Sequence, residues 1–147
     1  MASAVTPHVA LDPALFASLD PPRLAGGRCG RCDTTVFPVA RSCPRCSSGE
    51  MATVALPGHG TVWTSTVQGF EPKPPYAAPP GGFRPYAVGY VDLGSLLVES
   101  LLVGEPAALD IGLPVRLTLI PAGSTGEVTY AFEPVGEFEP VGEGEGT

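Results

Sequence analysis

The chain has 147 residues, 44% of them hydrophobic, and a formal net charge of −7. That apolar share supports a packed core and excludes a disordered polymer, and the length suits one domain or two small ones. Nineteen glycines and eighteen prolines predict many short elements with frequent turns; they do not recur at the collagen period, which excludes a fibrous chain.

The opening stretch, MASAVTPHVALDPALFASLDPP, has neither a positively charged start nor a continuous apolar run. No secretory signal is expected there, no run of about eighteen apolar residues predicts a membrane span, and the expected compartment is the cytoplasm. Within residues 1–25, Asp12 is placed to cap a short helix with Pro13 at its first position. Leu15, Phe16 and Leu19 would form its apolar face, and Asp20-Pro21-Pro22 would stop it. A helix this short is marginal alone. Those three residues are therefore candidates for docking, on this chain or on a partner.

Residues 26–50 hold all four cysteines as Cys29-x2-Cys32 and Cys43-x2-Cys46, ten residues apart. Two such turns facing each other bring four sulfurs to the corners of a tetrahedron, and an all-cysteine set leaves no open position for water or substrate. The pattern predicts a structural zinc site, with iron and a redox-active C-x-x-C as the competing readings. Two motifs rather than one, and Pro44 inside the second, argue against the redox reading. Five of the eight Lys/Arg (Arg23, Arg28, Arg31, Arg41 and Arg45) fall in or beside this segment. Arg28, Arg31, Arg41 and Arg45 flank the ligands and are expected to offset the thiolate charge. Asp33 and Ser47 follow the second cysteine of each pair, where glycine is usual because the backbone turns to a positive φ. Thr34 to Phe37 reads as a short strand ended by Pro38.

From residue 51 to 135 the pattern is that of β-strands. TVWTSTVQGF alternates, placing Val62, Thr64 and Thr66 on one face and Trp63, Ser65 and Val67 on the other. Gly58-His59-Gly60 reads as a bend or bulge before it. Two further strands, Tyr86–Leu93 and Leu96–Val103, meet at Gly94-Ser95, a tight hairpin turn. EPAALDIGL is a compact connection, and PVRLTLIP and EVTYAFEPV supply the last two strands. Five strands with a connection between the third and fourth predict a closed barrel of OB type, with a small sandwich as the alternative. Residues 136–147 read as an acidic tail lacking enough apolar content to fold.

Between the first two barrel strands lies EPKPPYAAPPGGFRP, with six prolines, which cannot be an interior strand. Loops of this length in compact domains are often functional. Phe70, Tyr76, Phe83, Arg84 and Tyr86 in and around it are candidates for a substrate-channel wall or an interface. Catalytic motifs are lacking: His8 and His59 stand in no recognisable arrangement, and no nucleophile elbow, phosphate loop or H-E-x-x-H occurs. No catalytic residue is assigned.

In order, RCGRCDTTVFPVARSCPRCSS, PGHGTVWTSTVQ, GGFRPYAVGYVDL, LDIGLPVRLTLIP and YAFEP resemble the acyl-CoA-associated zinc-ribbon/OB-fold family, once catalogued as a domain of unknown function. The resemblance spans about residues 10–135, with Asp33, Ser47 and His59 departing from the usual pattern. It implies a mainly β fold: a short N-terminal helix, a rubredoxin-like zinc ribbon and a five-stranded OB barrel. It implies Cys29, Cys32, Cys43 and Cys46 as zinc ligands, and a CoA thioester as a ligand shared with a partner. The partner would be a thiolase-superfamily enzyme, either a lipid-transfer-type aldolase or a thiolase, with a MaoC-type hydratase as a further associate. The chain would then be the non-catalytic subunit of a hetero-oligomer acting on acyl-CoA in steroid side-chain or lipid breakdown. The competing readings are a single-stranded nucleic-acid-binding module, which the acidic charge disfavours, and a stand-alone acyl-CoA-binding protein.

Overall fold

A computed structural model describes residues 9–73, 81–122 and 126–135. The chain is built from strands: β1 (Phe16–Leu19), β2 (Pro22–Cys29), β3 (Thr35–Val36), β4 (Met51–Ala55), β5 (His59–Gln68), β6 (Tyr86–Asp92), β7 (Leu97–Leu102), β8 (Pro114–Ala122) and β9 (Glu127–Pro134). Helical geometry among the described residues is limited to short 3-10 turns such as Pro13–Leu15 and Pro106–Ala108. No helix there is long and apolar enough to cross a membrane.

The expected N-terminal helix is thus a single turn. Asp12 caps it as foreseen, its carboxylate accepting from the Ala14 N–H at 3.2 Å. Phe16 and Leu19, expected on the helix, lie instead in β1, which pairs antiparallel with β2 through Phe16–Leu24 and Leu19–Pro22. Such a short helix would satisfy few of its own backbone groups, whereas the neighbouring strand supplies partners. Leu15 ends the turn, half-buried.

The first sheet is the ribbon. β2 runs at its centre from Pro22 to Cys29, across the expected division at residue 25, with β1, β3 and β4 as its antiparallel partners. Met51–Ala55 therefore completes the ribbon sheet, although the sequence placed it with the barrel. Five strands then close a barrel in the order β5-β6-β7-β9-β8, as expected of an OB fold. All pairs are antiparallel except β7 with β9, which meet in parallel at Leu102–Phe132. The hairpin at Gly94-Ser95 is closed by the Leu93 N–H donating to the Leu96 carbonyl at 3.0 Å, with Gly94 at φ 98°.

The barrel is filled by Val62, Ala87, Val91, Val98, Leu102, Val115, Leu117 and Phe132, and Leu109, which follows the Pro106–Ala108 turn, packs with them. Leu24 of the ribbon and Leu56 of the connection belong to the same core, 1% and 2% exposed. Phe16, Phe37 and Val54 pack against it. Phe37, from the loop between the cysteine pairs, meets Tyr130 of β9 edge to face at 5.7 Å. Ribbon and barrel thus share one apolar interior, which fixes the metal-binding end on the barrel. At the N-terminal side, Val9–Leu11 is laid along β9: Ala10 bridges Val128, and the Leu11 N–H donates to the Val128 carbonyl at 2.9 Å.

Candidate metal centre

Cys29 closes β2, Cys32 follows on its turn, and Cys43 and Cys46 bracket a second turn of the same form. In each, the two backbone N–H groups after the first cysteine point at its sulfur: Arg31 and Cys32 at Cys29 Sγ (3.3 and 3.4 Å), Arg45 and Cys46 at Cys43 Sγ (3.3 and 3.4 Å). The Asp33 N–H donates to the Cys29 carbonyl at 2.9 Å and the Ser47 N–H to the Cys43 carbonyl at 2.8 Å. Both residues sit at positive φ, 70° and 67°. The knuckle geometry that usually calls for glycine is therefore formed here with Asp and Ser.

The four Sγ atoms lie within 4.8 Å of one another, the one such ligand cluster among the described residues. Cys29–Cys46 and Cys32–Cys43 are each 3.6 Å apart. That is far beyond a disulfide bond and near the edge of about 3.8 Å of a tetrahedron with 2.3 Å metal–sulfur bonds. Cys29 and Cys43 are buried, Cys32 and Cys46 half-buried. The Cys32 thiol is drawn down to about 6, first by the Thr34 side chain at 3.1 Å and then by the Thr34 backbone. At Cys46 a backbone hydrogen bond from Ser48 pulls down, but burial and the neighbouring thiols outweigh it and hold the group up at about 11. Four sulfurs this close do not ionise together without a cation between them. The donor set fits zinc, which when bound here ties the two knuckles into one closed unit with no vacant position.

The expected offset of thiolate charge by four arginines is only partly seen. Arg28 turns to Asp33 in a two-point contact at 2.7 and 2.9 Å, and Asp33 is held below the usual carboxylate range by that hydrogen bond and the guanidinium charge. Arg31 and Arg45 contribute backbone N–H groups to sulfur, and Arg41 is exposed nearby in the chain. Beside this pair, a groove of about 330 Å³ runs along the ribbon–barrel junction, lined by Arg28, Asp33, Thr35, Val54, Leu56 and Ser95 among others.

The other candidates are scattered by comparison. Phe70 is 73% exposed, its carbonyl accepting from Gln68. Phe83 and Tyr86 meet edge to face at 6.2 Å, and Arg84 lies beside Gly81. Tyr76 lies outside the described residues. Phe16 packs on the chain's own core. One feature that sequence reading missed is an exposed pair on the barrel wall, Trp63 against Tyr90 at 6.3 Å and 89°. Alternation placed Trp63 on the face opposite Val62, as found, but carried nothing about its neighbour on β6. The pairing with β6 shifts between Val62 and Thr64, so Val62 faces the core opposite Val91 while Thr64 lies opposite Tyr90 on the outside. Glycine before the strand hinted at a bulge, but not at its position.

Comparison with known proteins gives a consistent answer. Residues 16–52 match the family model of the ChsH2 rubredoxin-like zinc ribbon domain, and residues 53–119 that of the ChsH2 C-terminal OB-fold domain. A DUF35 domain-containing scaffold protein of Methanocaldococcus jannaschii is 28% identical over 119 residues, covering 75% of this chain and 79% of its own. A chain from the solved Ltp2-ChsH2(DUF35) aldolase superposes with a TM-score of 0.64 at 30% identity, covering 88% of this chain and 98% of that one. With its four-sulfur ribbon fused to a closed five-stranded barrel, the chain belongs to the ChsH2 (DUF35) family of zinc-ribbon/OB-fold proteins.

Proposed function

We infer that this chain is a zinc-stabilised, non-catalytic subunit that docks on a thiolase-superfamily enzyme, either a lipid-transfer-type aldolase or a thiolase, in the cytoplasm. The observation that carries the reading is the match, over nearly the whole length of both chains, to a subunit of an Ltp2-ChsH2(DUF35) aldolase. The scaffold role named for the archaeal relative supports it. So does the chemistry of the metal centre, where four thiolates saturate a tetrahedral ion and leave no position for substrate. The partner supplies the reacting groups, and this subunit holds the partner's fold and adds a wall to the channel that admits a CoA thioester. The loop aromatics Phe70, Tyr76, Phe83 and Tyr86, with Arg84, are the candidates for that wall. Steroid side-chain or other lipid breakdown is the setting, with a MaoC-type hydratase as a neighbouring activity.

The test is co-expression with the thiolase-superfamily protein of the same genome that is most similar to the Ltp2 subunit. One co-eluting hetero-oligomer is expected, with carbon–carbon bond cleavage of an acyl-CoA present in the complex and absent from this chain alone. Separate elution, or turnover by the isolated chain, would overturn the reading.

A further inference from the structure

The outer wall of the barrel over β5, β6 and β7 carries several large apolar side chains exposed to solvent. Trp63 is 53% exposed, Tyr90 41% and Leu97 39%. Their neighbours on the same face are Val88 and Leu101, because Val88 pairs with Leu101, Tyr90 with Glu99 and Asp92 with Leu97. The edge-to-face contact holds Trp63 and Tyr90 against each other, so little side-chain freedom remains to be lost on burial. A bulge is a common device for re-aiming one side chain, and the bulge in β5 falls at Trp63. Contiguous exposed apolar groups rimmed by polar ones mark docking sites, and Trp and Tyr dominate the energetics of such sites.

Charge identifies the occupant. The three strands contain no Lys or Arg; their ionisable side chains other than His59, Tyr86 and Tyr90 are Asp92 and Glu99. A nucleic acid is repelled by such a wall. A second copy of this chain would set Asp92 and Glu99 against themselves, on a molecule already at −7. What fits is a protein surface with an apolar centre and a basic rim.

We propose that the Trp63–Tyr90 wall of β5–β7 is the face by which this chain docks its enzyme partner, through an apolar patch on that partner bordered by Lys or Arg. The proposal rests on the partner-subunit reading above, but it names a surface that reading leaves open. Trp63 is the only tryptophan of the chain, so a fluorine label on it reports this face alone. The experiment uses the full chain carrying 5-fluorotryptophan and the same Ltp2-like subunit. The fluorine resonance is expected to shift or broaden on complex formation. Trp63→Ser and Tyr90→Ser should each weaken binding about tenfold or more, and Glu99→Lys should weaken it most at low salt. Val39→Ser, at a position 41% exposed in the ribbon between the cysteine pairs, should bind as wild type. All variants are checked for four metal-bound thiols, which separates loss of docking from loss of fold. Failure of the wild-type chain to bind the subunit overturns the functional reading, and this proposal with it. Wild-type binding with Trp63→Ser and Tyr90→Ser within twofold, or an unmoved fluorine signal in the complex, overturns this proposal alone. So does a signal moved by dimerisation of the chain itself, or by a single-stranded oligonucleotide.

Discussion

Ser47 holds a φ of 67° with no charged contact of its own, whereas Asp33 at 70° is engaged by Arg28. A left-handed backbone costs an ordinary residue about 1–2 kcal/mol and costs glycine almost nothing, while glycine adds unfolded-state entropy in return. The difference sets a direction. Ser47→Gly is expected to raise stability by about 0.5–1 kcal/mol. Asp33→Gly should change it little, because aspartate tolerates the left-handed region better than serine and so gains less from glycine, while the exposed pair with Arg28 that is lost contributes little. Urea unfolding at fixed zinc concentration measures both; a lower midpoint for Ser47→Gly would contradict the argument. The same two positions explain why the ribbon tolerates its departures from the usual glycines: the metal and the paired N–H···O bonds around each knuckle hold the backbone where it must turn.

At the level of elements, the bulge in β5 depends on close approach by β6. A Cβ added at Gly89 would collide with the Thr64 carbonyl oxygen and lie 3.0 Å from both Leu102 Cδ1 and Ser65 Cα. These neighbours are a backbone and a core side chain, neither free to retreat. Gly89→Ala is therefore expected to cost about 1–3 kcal/mol and to disturb the Trp63–Tyr90 contact, which near-ultraviolet circular dichroism of the single tryptophan records. Gly49→Ala is the matched control, since a Cβ there meets nothing within 4 Å. Equal stability of the two variants would mean that β5 and β6 are looser than the register implies.

For the whole molecule, the decisive contact is between ribbon and barrel. Leu24 and Leu56 bring the ribbon side of the chain into the barrel core, and Phe37 on Tyr130 adds a second point of attachment. Tyr130 is further fixed by its hydroxyl donating to the Glu99 carbonyl at 2.8 Å. A shared interior predicts shared unfolding. Leu24→Ala should cost about 2–5 kcal/mol, and the barrel should melt with the ribbon. Stripping the metal with a chelator, or replacing Cys43 with Ser, should lower both transitions together, because metal binding is folding free energy for the knuckles. Tryptophan emission reports the barrel and thiol reactivity reports the ribbon; two separated midpoints would show the halves to be independent.

Much of this was legible in the residues themselves. The four-sulfur cluster follows from spacing alone, since each C-x2-C closes within one turn and a short connector brings the second turn to the first. The five barrel strands and the Gly94-Ser95 hairpin follow from alternation and turn chemistry, which are local. What local pattern does not carry is partnership at a distance. Phe16 and Leu19 have a helical spacing but pair with β2, and Met51–Ala55 reads as barrel but completes the ribbon. A strand takes its hydrogen bonds from whichever edge the tertiary fold brings beside it. The bulge at Trp63 is the clearest instance. Alternation set Trp63 on the face opposite Val62, but only the register shift against β6 brought Thr64 opposite Tyr90 and the tryptophan beside that tyrosine, on the face by which this chain is proposed to work.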